Sequence, residues 1–198
     1  MEKTISDRMY SILMDADQYQ SPYAKSIGEP DEILFPLIRK YCLQTAAVSA
    51  FSSVPAGTAG IMTVFPEVFA LLKLQSRMVK DIAAVYGKDK SLSKEVMLYC
   101  IFKKSGSNLF ERFIRMSSSR VIVRPVSIRT FADFLQKWSP RLAGKFFGKG
   151  LSRILPWAGI VFGGAAGYLD TRIVAITSIN LFSRDILVME EENELEEI

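Results

Sequence analysis

Gly159, Gly163 and Gly167 recur at every fourth position of the apolar run "AGIVFGGAAG". On a helix of 3.6 residues per turn these positions share one face, which then carries no side chains. Such a face lets a neighbouring backbone come close and permits Cα–H···O contacts. The spacing predicts a packing seam inside a helix. A weaker counterpart lies upstream, where Ser49, Ser53 and Gly57 share one helical spacing and Ala56 and Gly60 another. Two small-residue faces in one chain are expected to pack on each other.

The surrounding sequence limits how such segments meet a bilayer. Ile154 to Leu169 gives 16 uncharged residues, short of the roughly 20 that a spanning helix needs. The earlier uncharged run, Tyr41 to Pro66, has 26 residues, but Pro55 and Gly57 divide it. The leading expectation is buried helical hairpins in a domain that docks on a membrane, with a wholly soluble core and true insertion as alternatives.

Most of the chain carries helical signals. Residues 3–17 read as a weakly amphipathic opening helix, and "SPYAKSIGEPDE" (21–32) as a loop punctuated by prolines. In "EVFALLKLQSRMVKDIAAVYG" the apolar face is Val68, Leu71, Leu72, Met78, Val79, Ile82 and Tyr86. Lys73, Arg77, Lys80 and Asp81 are expected largely outside that stripe. Pro66 suits the helix's first turn, with Thr63 available as a cap and Glu67 at the positive end of the dipole, and Gly87 suits its C′ position. Gln75 falls within the stripe, so its amide is expected to be hydrogen-bonded in the core or to meet a ligand. Ser91 or Ser93 caps a helix from about Lys94 to Lys104. Residues 108–138 read as two helices interrupted near "SSSR". "VIVRPV" has strand-forming residues, but Pro125 argues against a strand. "TRIVAITSINLFSRDILVM" reads as a final buried helix.

The fold expected is therefore all-α: a single helical bundle with two glycine-rich apolar helical hairpins packed together. The organisation expected is an N-terminal helix and loop (1–32), a helical domain (33–188) and an acidic tail (189–198).

Chemistry is constrained by what is missing. The chain has 198 residues, 49% of them hydrophobic, two cysteines and no histidine. Serine or cysteine nucleophiles activated by imidazole, and zinc sites bearing histidine, are excluded. Cys42 and Cys100 are too few for a Cys₄ site and suit a reduced interior. "GKFFGKG" (144–150) fails as a nucleotide loop, because three residues rather than four separate Gly144 from Gly148 and no Ser or Thr follows the lysine. No cofactor or metal is expected. The candidate polar positions are Glu67, Gln75 and Asp170, and a carboxylate-dependent enzyme stands as one alternative.

Charge is segregated. Twelve basic residues lie between Ile101 and Arg153, opposed only by Glu111 and Asp133. The basic surface expected is Lys103, Lys104, Arg112, Arg115, Arg120, Arg124, Lys145 and Lys149. The last nine residues, "EEENELEEI", carry six glutamates. They read as a solvated end or as a segment that folds back onto the basic stretch. The N-terminus "MEKTISDRMY" lacks an apolar region, so no secretory signal is expected.

Two blocks of sequence resemble the EcsC family of bacterial proteins. The first is "VPAGTAGIMTVFPEVFALLKLQSRMVKDIAAVYGKD", with Pro55, Gly57, Gly60 and Pro66 ahead of Leu74-Gln75, Arg77 and Tyr86-Gly87. The second is "GKGLSRILPWAGIVFGGAAGYLDTR", with Pro156, Gly159, Gly163 and Gly164 in a Pro-x-x-Gly-x-x-x-Gly-Gly arrangement, and Gly167 following. The resemblance covers Ile33 to Ser183. It implies an α-helical, membrane-associated accessory protein and brings no catalytic residues.

The function expected is a non-enzymatic accessory or regulatory protein, cytoplasmic and peripheral to the inner face of the cell membrane. Its partners would be an anionic membrane surface and another protein, and no nucleic-acid motif is present. A membrane-inserting pore former or bilayer remodeller is the other alternative.

Overall fold

The computed structural model describes residues 11–12, 15, 18–23, 29–52, 60–103, 114–125 and 156–189, with side chains placed at all of these except 52, 60–65 and 156–160. Their order is α1 (Pro30–Ser52), α2 (Gly60–Val85), a 3₁₀ turn (Asp89–Ser91), α3 (Lys94–Phe102), β1 (Ile114–Met116), β2 (Arg120–Val123), α4 (Pro156–Phe182) and β3 (Asp185–Val188). The described chain is predominantly helical, with one small sheet.

Three long helices form the body. Tyr41 of α1 meets Asp81 of α2, and Asp31 lies near Tyr86, so these helices are antiparallel. Thr45 faces Gly167 and Ala50 faces Gly164, so α4 also runs against α1. Gln75 reaches Asp170 and Lys88 reaches the carbonyl of Arg184, which sets α2 and α4 parallel. Between them lie Leu37, Met78, Val79, Ile82, Leu181 and Phe182, all essentially inaccessible to water. Burying each large apolar side chain contributes on the order of 1.5–3 kcal/mol.

Local signals fix several boundaries. Pro30 opens α1, followed by Asp31 and Glu32 in the first turn, where acids favour the helix dipole. The anticipated loop therefore ends before Pro30. At the end of α2, Gly87 has φ +65°. Its N–H donates to Ala84 O, and the N–H of Lys88 donates to Ala83 O. This is a Schellman cap, a conformation that costs glycine nothing sterically. Ser93 caps α3, its hydroxyl accepting from the Val96 N–H at 3.4 Å.

Elsewhere the structure corrects the sequence reading. Helix α2 begins at Gly60, so Pro66 and Thr63 lie inside it, and Glu67 sits about two turns in, away from the positive dipole end. A proline this near a helix start removes only one backbone bond. Asp81, expected outside the apolar stripe, is 2% exposed. Its i+3 spacing from Met78 and i−4 spacing from Val85 place it on the inward face.

The fold is also not all-α. "IRM" and "RVIV" form an antiparallel hairpin, with Ile114 opposite Val123, Arg115 opposite Ile122 and Met116 opposite Val121. Within the stretch 108–138, expected as two helices, residues 114–116 and 120–123 are therefore strands. β2 also pairs in parallel with β3, Val121 opposite Ile186 and Val123 opposite Val188. The final helix thus stops at Phe182, and "DILV" is a strand. Pro125 lies just beyond β2, where its missing N–H costs the ladder nothing. Within the second glycine block, residues 156–172 form one uninterrupted stretch of α4, and 148–155 lie outside the described residues. Pro55 and Gly57 of the first block, and most of the opening helix, lie outside the described residues.

Candidate functional site

The small-residue seam is real and lies between α1 and α4. Gly167 is buried, and a Cβ built on it would stand 2.6 Å from Ser49 Oγ, 2.9 Å from Ser49 Cβ and 2.9 Å from Thr45 O. At Gly164 the nearest atoms would be Ala46 O at 3.3 Å and Ala50 Cβ at 3.5 Å. Gly163 is buried as well. The partner face of α1 is thus Thr45, Ala46, Ser49 and Ala50, which precede the expected Gly57 and Gly60 in the chain. The Thr45 hydroxyl lies 3.0 Å from the carbonyls of Tyr41 and Cys42 and 3.4 Å from that of Gly167.

Two polar centres flank this seam. In the first, the Gln75 amide donates from Nε2 to Asp170 Oδ2 at 3.1 Å and Thr171 Oγ1 at 3.3 Å. Gln75 is buried and Asp170 exposed, so the contact joins α2 to α4 at the rim of the core. Glu67, the third expected polar position, is half-buried about two turns earlier on α2. The structure therefore brings Gln75 and Asp170 together, with Glu67 separate from them.

The second centre went unnoticed in the sequence. Asp81 Oδ2 accepts from the Tyr41 hydroxyl at 2.8 Å and from the Tyr19 hydroxyl at 3.4 Å. The Arg77 guanidinium lies 5.3 Å from the Tyr19 ring centroid, within cation–π range. Burial first, then the hydrogen bond and charge of Asp81, push the Tyr41 hydroxyl far above its ordinary pKa. Burial likewise raises Tyr19, reinforced by the Asp81 charge. Both phenols are held neutral as donors to a carboxylate. Asp81 Oδ1 and Ser76 Oγ have no hydrogen-bond partner among the described residues, a cost of about 1–3 kcal/mol each for a buried group.

Neither centre contains an activated nucleophile. Burial raises both thiols, with Cys100 pushed up to about 12. A thiolate is the reactive form, so these are inert interior groups. Among the described residues no group of acidic or sulfur side chains could hold a metal ion.

Large apolar side chains are exposed on α1 (Phe35, Leu43 and Phe51) as well as on α4. On α4, Val161, Phe162, Leu169 and Ile176 are exposed, Phe162 at 72%. Positions 162, 169 and 176 repeat every seven residues and so lie on one side of the helix. On the sheet, Arg115, Arg120 and Arg124 are exposed. Lys103 is exposed, with its ammonium 5.0 Å from the Tyr99 ring centroid. Lys104, Arg112, Lys145 and Lys149 lie outside the described residues. Among the described residues, no helix is long and apolar enough to cross a membrane.

Comparison with known proteins adds one relative. Over 133 residues the chain is 29% identical to the protein described as "Uncharacterized protein YdbA" from Bacillus subtilis (strain 168). The match covers 65% of this chain and 48% of YdbA, so the chain spans about half of that relative's length. No protein-family model and no solved structure matches the chain.

Proposed function

We propose that this protein is an EcsC-like, non-enzymatic accessory or regulatory protein that associates peripherally with the cytoplasmic face of a bacterial membrane. The observation that carries this reading is the outer face of α4, where Val161, Phe162, Leu169 and Ile176 stand in water on a helix whose opposite face is packed. Large apolar side chains grouped on one exposed side of a helix are a mark of a surface that meets a partner. Arg172 is exposed on the same helix, and the arginines of the sheet and Lys103 add positive charge elsewhere on the surface. Apolar side chains sink into the boundary of a bilayer, while each well-placed Lys or Arg adds about 1 kcal/mol toward anionic headgroups. In this reading the two glycine-rich apolar segments act as a single packed unit that holds α4 rigid. A protein partner would engage the remaining surface.

Vesicle co-sedimentation tests the reading. The expected outcome is retention on phosphatidylglycerol vesicles, little on phosphatidylcholine vesicles, and release at high salt. Phe162→Ser with Leu169→Ser should reduce retention at low salt. Absence of sedimentation with either vesicle type would sink the proposal, and release of trapped dye would favour the inserting alternative.

A further inference from the structure

The outer face of the sheet gathers three exposed arginines, and an acidic stretch of sequence follows β3 directly. Cross-strand partners point to the same side, so Arg115 on β1, Ile122 on β2 and Leu187 on β3 form one outward row. Arg120 precedes Ile122 by two residues on the same face and stands opposite Asp185. Arg124 follows at the end of β2. The other face carries Ile114, Val121 and Val123, all buried. Alternation thus places three guanidiniums around two apolar side chains, and Leu187 is 48% exposed.

Among the described residues none of these three arginines has an ion pair. The acid of that face, Asp185, lies 4.0 Å from the Lys88 ammonium, which competes for its charge. Like charges on one face repel unless an anion lies among them.

We propose that the glutamate-rich segment 190–198 docks in cis on this face, its carboxylates against Arg115, Arg120 and Arg124. Three observations carry the proposal. The first is position: the N–H of Met189 donates to Val123 O at 2.9 Å, so the chain leaves the sheet directly beside Arg124. Length is the second. Nine residues reach up to about 30 Å when extended, whereas crossing from β3 to β1 takes about 10 Å. Composition is the third, because "EEENELEEI" has six glutamates for the guanidiniums, with Leu195 and Ile198 available to Ile122 and Leu187. Each exposed pair is weak, about 0.2–1 kcal/mol, so the contact depends on several acting together and weakens with salt. It does not require a membrane, and stands or falls apart from the function proposed above.

The test uses the full chain with Ile198→Cys carrying a nitroxide. The native thiols, Cys42 and Cys100, are buried and escape the label. At low salt the amide signals of β1 and β2 are expected to broaden selectively. That broadening should be lost at high salt and lost when the six tail glutamates become glutamine. The triple variant Arg115→Gln, Arg120→Gln, Arg124→Gln should lose it too, and the glutamine tail gives the same reading should the triple variant fold poorly. Broadening that is absent at low salt, or that survives the glutamine tail, overturns the proposal.

Discussion

Replacing Gly167 by alanine adds one methyl group where α1 and α4 approach most closely. The new Cβ would stand 2.9 Å from the Thr45 carbonyl oxygen. That is about 0.5 Å inside ordinary contact, in an interior that is already close-packed. Thr45 O belongs to the backbone, so the helices must part. The Ser49 hydroxyl at 2.6 Å could turn away, but its Cβ at 2.9 Å could not. Overpacking of this kind costs about 1–3 kcal/mol. Alanine returns roughly 0.8–1 kcal/mol through its better helix propensity. The net expectation is a loss of about 1 kcal/mol, with the upper range near 2.

Gly164→Ala is the internal control. Its Cβ would meet Ala46 O at 3.3 Å and Ala50 Cβ at 3.5 Å, a tight but tolerable fit. There the propensity gain dominates, and the variant should equal or exceed the wild type by up to about 1 kcal/mol. For a chain of this size each kcal/mol moves Tm by about 2–4 °C. Thermal and urea unfolding followed by circular dichroism would read both variants. Ser49→Gly in the Gly167→Ala background should recover part of the loss, a coupling visible in a double-mutant cycle. Gly167→Ala proving as stable as Gly164→Ala would refute the seam.

The remaining predictions concern the buried polar groups. Tyr41→Phe removes the hydroxyl that donates to Asp81 at 2.8 Å, and urea denaturation should show a loss of about 1–3 kcal/mol; an unchanged midpoint would mean that the Asp81 centre is held by other contacts. Burial pushes the Cys100 thiol from 9.0 to about 12, against smaller opposing effects from Ser178 and Lys103. The folded state therefore keeps a proton that the unfolded chain gives up. This contribution is complete below pH 9.0 and lost as pH rises toward 12. Stability measured across that window should fall less steeply in Cys100→Ala, and a thiol reagent should label Cys100 only as fast as the protein unfolds. Equal slopes for the two proteins, or fast native labelling, would count against it.

What the sequence disclosed depended on how many repeats of a pattern each segment holds. Helix α2 offers seven full turns, so Leu71, Leu72, Met78, Val79 and Ile82 were assigned inward correctly. Gly87 and Ser93 were legible because cap chemistry is local. Strands of three and four residues contain barely two alternations, so β1, β2 and β3 left no periodic signal, and their pairing is set by distant partners. "DILV" continues an apolar helix without punctuation, so on sequence it reads as part of that helix. Gln75 could be placed in the core because an amide inside an apolar stripe needs a partner, although Asp170 as that partner is a tertiary fact. Asp81 carries no sequence signal of burial, because a charge next to Lys80 reads as surface. Only the approach of Tyr41 and Tyr19 makes its burial tolerable.

The parallel pairing of β2 with β3 has a consequence for how the protein assembles. β1 and β2 can close by themselves as a tight hairpin, with the N–H of Ser117 bonded to Arg120 O. β3 cannot join them until α4, which leads directly into it, has settled against α1. Until then one side of β2 presents unpaired amides and carbonyls, a template for wrong partners. Closing so long a loop is entropically slow, which places sheet completion late in folding. Amide exchange at Asp185 and Met189, which donate to Ser119 and Val123, would then report the docking of a helix that neither residue belongs to.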